Sequence, residues 1–277
     1  MLKERVATAV VLLLVFLLAL FLLPTGWFAV PVGAVVATGA YEWAALAKTS
    51  NRVGYAFAIA CAAVFAIVVW GGQVIDPAHP GLVLVFALAS LFWILAVPAW
   101  LLSGAQFRSK PLALAVGTIV VVPAGLSMVS LHFVAPAALL MLLAFIWIAD
   151  SAAYFAGRAF GKHKLAPAIS PGKTWEGVAG AVAGTMIYAM ICAEASPSLG
   201  AAVRGASWPA YLGVALLLCA VSVVGDLFES LIKRQAKVKD SGTLLPGHGG
   251  VLDRIDSITS TLPVALLIGT VGMKISW

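Results

Sequence analysis

The sequence predicts an all-α, polytopic transmembrane helical bundle of about nine spans, with its N-terminus cytoplasmic and its C-terminus external. Three observations carry this expectation. Of 277 residues, 62% are hydrophobic and only 10% charged, where a soluble domain carries roughly a quarter charged residues; mean hydropathy is +1.07. Nine apolar stretches approach the ~20 residues that cross a bilayer: Val6–Leu23, Trp27–Ala47, Val53–Trp70, Gly81–Leu102, Leu112–Leu131, Phe133–Ala149, Gly177–Ala193, Trp208–Gly225 and Ile258–Ile275. Each should be helical, because a span must satisfy its own backbone hydrogen bonds in lipid. Finally, nine alternating spans leave only Arg204 and Lys274 outside and place the other fifteen Lys and Arg inside, a strong positive-inside bias.

The first stretch follows the charged start Met1–Arg5. Val6–Leu23 is longer than a signal-peptide core and no small-x-small cleavage site follows, so it is expected to be retained as a span. The fifth and sixth stretches nearly abut. Merging them would divide the basic residues between the two sides, which favours keeping them apart. Cys61, Cys192 and Cys219 lie far apart in apolar stretches, where small buried side chains are expected rather than disulfides.

Charge divides the chain in two. Residues 1–149 hold nine charged side chains, whereas Asp150–Asp256 holds eighteen. The first part, about six spans, reads as a transmembrane scaffold. Residues 150–277 read as a catalytic region with two cytoplasmic polar connections, Asp150–Glu176 and Asp226–Ser257. The net charge of +6 suits anionic lipid and phosphate-bearing ligands, and in a membrane protein it speaks for topology rather than nucleic-acid binding.

The eighth span ends in Gly225–Arg234. If the helix continues, Asp226, Glu229 and Lys233 share one face by their i, i+3 and i, i+4 spacing, and an acid at the membrane boundary is by default a functional residue. Asp253 and Asp256 form a second pair at the same spacing, near the positive end of the ninth helix. Clustered carboxylates without a Cys or His partner point to a hard cation such as Mg²⁺. Between the pairs runs Pro246-Gly247-His248-Gly249-Gly250, a turn whose backbone N–H groups suit phosphate oxygens. Lys233, Arg234, Lys237 and Lys239 add positive charge. Together these features suggest phosphoryl or nucleotidyl transfer to a lipid.

The earlier connection contains Gly172-Lys173-Thr174, but a P-loop needs a glycine where Pro167 stands, and no strand is predicted before it. Ser170–Gly177 reads instead as an N-cap and first helical turn, with Lys173 and Thr174 placed for an anion.

Ser230–Arg234, Lys239-Asp240, Pro246–Gly250 and Asp253–Asp256, at their fixed gaps, resemble the signature of phosphatidate cytidylyltransferases. Asp150, Tyr154-Phe155, Gly157-Arg158, Ser170–Gly177 and Tyr41-Glu42-Trp43 are similar to that family as well. The resemblance implies a nucleotidyltransferase of phospholipid biosynthesis in a bacterial inner membrane, with its active site facing the cytoplasm. It would join CTP to phosphatidate, giving CDP-diacylglycerol and pyrophosphate. Asp226, Asp253 and Asp256 would hold Mg²⁺ or another hard divalent cation and, with Lys233, act catalytically; Glu229 is a weaker candidate. Arg234, Lys239, His248 and Arg254 would bind CTP or pyrophosphate oxygens, and Lys173 and Thr174 the lipid phosphate or the nucleotide. A homo-oligomer is compatible with the sequence. The nearest rival is a CTP-dependent kinase of a lipid alcohol. A transporter would place charge near the midplane of several spans, where this chain offers mainly Glu42.

Overall fold

The computed structural model describes residues 13–71, 75–196, 199–200, 203, 207–244 and 249–272. Among these, nine apolar helices follow one another: α1 (Leu13–Leu22), α2 (Thr25–Leu46), α3 (Asn51–Gly71), α4 (Pro80–Ser103), α5 (Lys110–Val134), α6 (Pro136–Phe160), α7 (Trp175–Ala195), α8 (Trp208–Ala236) and α9 (Leu252–Gly272). The helices α2 to α9 are long and apolar enough to cross a membrane, and they match the second to ninth predicted stretches in order. Only the later part of the first stretch, α1, falls within the described residues.

The fifth and sixth stretches are separate helices for a local reason. Ala135 precedes Pro136 and is extended, at φ −162° and ψ 109°, because the proline ring disfavours helical backbone in the residue before it. Pro136 then starts α6, where its missing N–H costs nothing.

Two helices outrun their apolar stretches. The helix α6 continues past Ala149 to Phe160, and α8 continues past Gly225 to Ala236. Their last turns carry Arg158 and Lys233-Arg234, cations that complement the negative end of the helix dipole. Asp150, Asp226, Glu229 and Lys233 are therefore helical residues, held in a fixed relation by the backbone.

One element was not foreseen. Lys164–Ala166 (β1) and Ser170–Thr174 (β2) pair antiparallel, with Lys164 opposite Thr174 and Ala166 opposite Ser170. Ser170–Lys173 is thus strand rather than helix entry. Thr174 does cap α7, its Oγ1 accepting from Gly177 N at 3.1 Å. Glu176 in the first turn ties the hairpin back, standing 2.6 Å from His163 Nδ1.

Contacts between connections show which helix ends share a side. Lys48 Nζ donates to Gln235 O at 3.3 Å, Gln235 Nε2 to Ala105 O at 2.7 Å, and Arg234 Nε to Ile169 O at 3.2 Å. At the opposite end, buried His132 meets Leu20 O at 2.9 Å and Thr25 Oγ1 at 3.0 Å. These contacts place the ends of α2, α4, α8 and the α6–α7 hairpin together, and the α1–α2 connection with the end of α5 elsewhere, as alternating spans require.

Packing fixes the two halves. The helices α6 and α7 approach closely through small residues: a Cβ at Gly180 would lie 2.3 Å from that of Ala156, the small-residue contact typical of membrane helices. Phe228 on α8 meets Trp93 and Trp100 of α4, each at 5.7 Å between ring centroids, and Trp43 of α2 at 6.2 Å. This aromatic cluster sets the rotation of α8, and with it the direction of its acids.

Orientation in the membrane is testable with single cysteines in a background lacking Cys61, Cys192 and Cys219. Gly161 is a poor reporter, since a Cβ there would come 2.2 Å from Gly157 O; Lys162 and Ala78 are exposed at opposite ends. Lys162→Cys is expected to label from the cytoplasmic side with an impermeant thiol reagent, and Ala78→Cys from the external side. Labelling of both from one side would break the alternation.

Candidate active site at one end of the bundle

A polar cavity of about 430 Å³ opens where α6, α7 and α8 reach the hairpin. Its walls include Asp150, Tyr154 and Arg158 of α6, Lys173 and Thr174 of β2, and Asp226 of α8. Lys173 Nζ stands 2.5 Å from Asp226 Oδ2, with each side chain about a quarter exposed. Arg158 Nη1 donates to the Tyr154 hydroxyl at 3.1 Å. The cavity thus combines one ion pair accessible to solvent, a second cation, and apolar floor residues such as Ala149 and Val223.

A second, more buried polar network lies between α8 and α9, beyond Asp226 toward the end of α8. Lys233 Nζ is 2.6 Å from Asp253 Oδ1 and 3.4 Å from Glu229 Oε1. Asp253 Oδ2 accepts from Ser241 N and Gly250 N, both at 2.8 Å. Glu42 reaches across from α2, accepting from Val251 N and Leu252 N at 2.9 Å each. The Ser241 hydroxyl, 2.9 Å from Glu42 Oε2 and 3.0 Å from Asp253 Oδ2, shares its single proton between the two carboxylates. Gly250 is required here, because a Cβ would meet Ser241 Oγ at 2.2 Å and both Glu42 oxygens at 2.6 Å. Glu42 and Asp253 therefore pin both ends of the glycine-rich connection. Glu42 also supplies negative charge at the start of α9, where the first N–H groups lack helical partners.

The structure sorts the expected site residues into these two groups. Lys173, Thr174 and Asp226 share the open cavity. Asp253 and Lys233 do not line it; they pair with each other in the inner network, where Asp253 acts as a loop anchor. On α8 the side chain paired with Asp253 is Lys233, nearly two turns beyond Asp226. Asp256 lies between the groups, close enough to interact electrostatically with Asp226, Asp150 and Lys173. Arg234 is occupied with Ile169 O and, at 3.4 Å, Val238 O. Lys239 and Arg254 are exposed at the same end, and His248 lies outside the described residues. Asp150 and Arg158 entered the reading only through the family motif, without a site role. Asp150 directly follows the apolar run that ends at Ala149, the same boundary position that singled out Asp226.

These acids suit a hard cation by charge rather than by a preformed cage. Asp150, Asp226 and Asp256 interact with one another around the single ammonium of Lys173. Both Glu229 oxygens are buried without a hydrogen bond among the described residues. No three Asp, Glu, His or Cys side chains among those residues converge on one ion position. Mg²⁺ is commonly held by one or two carboxylates, with substrate phosphates and water completing its octahedron, so the donor set fits an ion that arrives with a phosphate.

An integral membrane bundle with acids and bases gathered at one boundary is the setting of a lipid-modifying enzyme, and sequence comparison agrees. The sequence model of the Cytidylyltransferase family matches residues 3–271. The chain is 42% identical to the phosphatidate cytidylyltransferase of Pseudomonas aeruginosa over 278 residues, covering 98% of each chain. It is 39% identical to that of Haemophilus influenzae over 286 residues, covering 95% of this chain and 96% of the relative. With that of Thermotoga maritima it shares 40% identity over 129 residues, 47% of each chain. The chain belongs to the phosphatidate cytidylyltransferase family.

The inner network has a measurable stability. Glu42→Ala strands Val251 N and Leu252 N, while the Ser241 hydroxyl keeps Asp253 Oδ2 as acceptor; buried donors left without acceptors cost about 1–3 kcal/mol each. Thermal unfolding of the purified variant, followed by tryptophan fluorescence, is expected to show a loss of at least about 2 kcal/mol. An unchanged midpoint would mean that Glu42 does not hold the connection.

Proposed function

We propose that the chain transfers the cytidylyl group of CTP to phosphatidate, giving CDP-diacylglycerol and pyrophosphate, in a bacterial cytoplasmic membrane with the polar cavity facing the cytoplasm. The observation that carries this reading is the Lys173–Asp226 pair in a cavity at the membrane boundary. A lipid phosphate and a water-soluble nucleotide both have access there. The relatives named above carry the corresponding activity in their names. Residues 1–149 serve as scaffold, with Glu42 as their contribution to the site, and residues 150–277 carry the chemistry.

Phosphatidate brings an anionic phosphate oxygen as its nucleophile, so no side chain has to remove a proton from a hydroxyl. That oxygen attacks the α-phosphorus of CTP. A new P–O bond forms, the α–β phosphoanhydride bond breaks, and pyrophosphate leaves with the electron pair. The task of the protein is to bring two polyanions together and to stabilise charge on the departing group. Lys173 exchanges Asp226 for a phosphate oxygen, and Arg158 neutralises a second. Thr174 fixes the start of α7 beside them. Asp226 and Asp256, freed of Lys173, form the acidic wall for a cation, and Mg²⁺ held there would draw charge from the α- and β-phosphates. Asp253 and Lys233 keep α8 and α9 in register, and Lys239, Arg234 and Arg254 provide a basic rim that collects CTP; the sequence adds His248 as a further CTP ligand.

Labelled CTP and purified protein test the reaction. Lipid-linked cytidylate is expected with phosphatidate and a divalent cation, and no product with diacylglycerol. Phosphorylated diacylglycerol would instead establish a kinase. Single variants separate the two networks. Asp226→Asn should lower turnover by about 10²–10³-fold, the scale of a lost catalytic electrostatic contact. Its melting midpoint should barely move, since a solvent-accessible pair is worth at most about 1 kcal/mol. Asp253→Asn should lower the midpoint as well, because breaking a buried pair costs about 3–5 kcal/mol. Equal thermal behaviour of the two variants would remove the division between outer and inner acids.

A further inference from the structure

A second cavity lies along the same seam between α6, α7 and α8, closed on one side by α9. It measures about 190 Å³, and its walls include Phe145, Tyr188, Cys192, Tyr211, Leu218 and Ala265. Space is left by small residues: Ala189 and Ala215 line it and are each only 4% exposed. Their neighbours on the same two helices, Ile187, Ile191 and Leu216, point outward at 56%, 58% and 48% exposure. The chamber thus lies in the seam between the helices and is half open, its mouth taking in exposed Ala137 and half-buried Ala138 at the far end of α6. It also makes little polar demand. The Tyr188 hydroxyl donates to Met141 O at 3.1 Å and that of Tyr211 to Ala189 O at 2.9 Å, so both tyrosines offer ring surface alone. Such a space favours an apolar occupant over water.

Position along the helices identifies the occupant. Only a turn or two separates this chamber from the polar cavity: Phe145 to Ala149 on α6, Ala181 to Tyr188 on α7, Leu218 to Val223 on α8. At 1.5 Å per residue, Leu218 lies ~12 Å and Tyr211 ~22 Å deeper than Asp226. One leaflet spans about half of the ~30 Å hydrocarbon core. A lipid whose phosphate sits at Lys173 and Asp226 would bring the ends of its tails to the depth at which the chamber begins. We propose that the chamber receives the end of one acyl chain of the lipid substrate, so that Tyr188, Ala215 and Leu218 set the preferred chain length. This rests on the proposed function, which supplies a diacyl phosphate as substrate.

Narrowing the chamber should then penalise long chains selectively. Ala215→Phe is expected to lower kcat/KM for dioleoyl phosphatidate at least about tenfold, the equivalent of displacing two methylenes from an apolar site, while dihexanoyl phosphatidate turns over as with the unaltered protein. A change that is equal for both lipids, or absent for both, in monodisperse protein overturns the proposal. The unaltered protein gives a second readout that does not depend on a variant's folding. Phosphatidate with a photoreactive group at the end of one acyl chain is expected to label Tyr188, Cys192, Tyr211 or Leu218. Labelling confined to Ile187, Ile191 and Leu216 would place the tail in bulk lipid or against a second copy of the chain, and would equally overturn it. Failure of the unaltered protein to convert either lipid would count against the reaction instead of the chamber.

Discussion

Glu42 is the contact on which the catalytic end of the bundle depends. Its carboxylate leaves the last turns of a scaffold helix and accepts the first backbone donors of α9, together with the Ser241 hydroxyl. A glycine-rich connection has little intrinsic order, and in a membrane protein its N–H groups must find partners before it can lie against apolar helices. Glu42 from one half and Asp253 from the other provide them at both ends of the same segment. The start of α9 is thereby placed, and the positions of Asp253 and Asp256 follow from the helical repeat alone.

That arrangement divides charge by environment. The inner network joins Lys233 to Asp253 and Glu229 among side chains that are mostly covered, where loss of one partner leaves an uncompensated charge. The outer cavity pairs Lys173 with Asp226 at partial exposure, where the pair has a small net energy and exchanges partners readily. Residue types alone do not reveal this difference, since both groups are a lysine between carboxylates. Burial decides that one holds the fold and that the other is available to a ligand.

The spans were legible because hydropathy and charge bias report directly on the bilayer, and even the doubtful fifth and sixth helices were separable by Pro136. Helical spacing correctly put Asp226, Glu229 and Lys233 on one continuous helix and Asp253 with Asp256 on another. It could not say which residue of α8 faces which residue of α9. That depends on the rotation imposed by Phe228 among Trp43, Trp93 and Trp100, contacts between residues far apart in sequence. The hairpin is not legible in the sequence because Ser170-Pro171-Gly172 reads as a turn or a helix entry, and its strands are stabilised by pairing with each other and by Glu176. Asp150 carries no distinct site signal in the sequence because the apolar stretch ends at Ala149, although the helix carries on through it.

The seam between α6, α7 and α8 unites these observations. At its polar end, α6 and α8 both extend beyond their apolar stretches, so that Asp150 and Asp226 project from rigid helices while Lys173 comes from the small hairpin. The hairpin is held by Glu176 and His163 and by Arg234 at Ile169 O, contacts near the surface that constrain it less than packing constrains a helix. The acids are consequently fixed and their cation sits on the more adjustable element. A phosphate entering the cavity meets fixed negative charge and a lysine already neutralised by it. Under the proposed function the lysine would turn to the phosphate and a cation would take its place at the acids. Rigid helices on one side and a short hairpin on the other would let this exchange proceed without disturbing the inner network that keeps α8 and α9 in register.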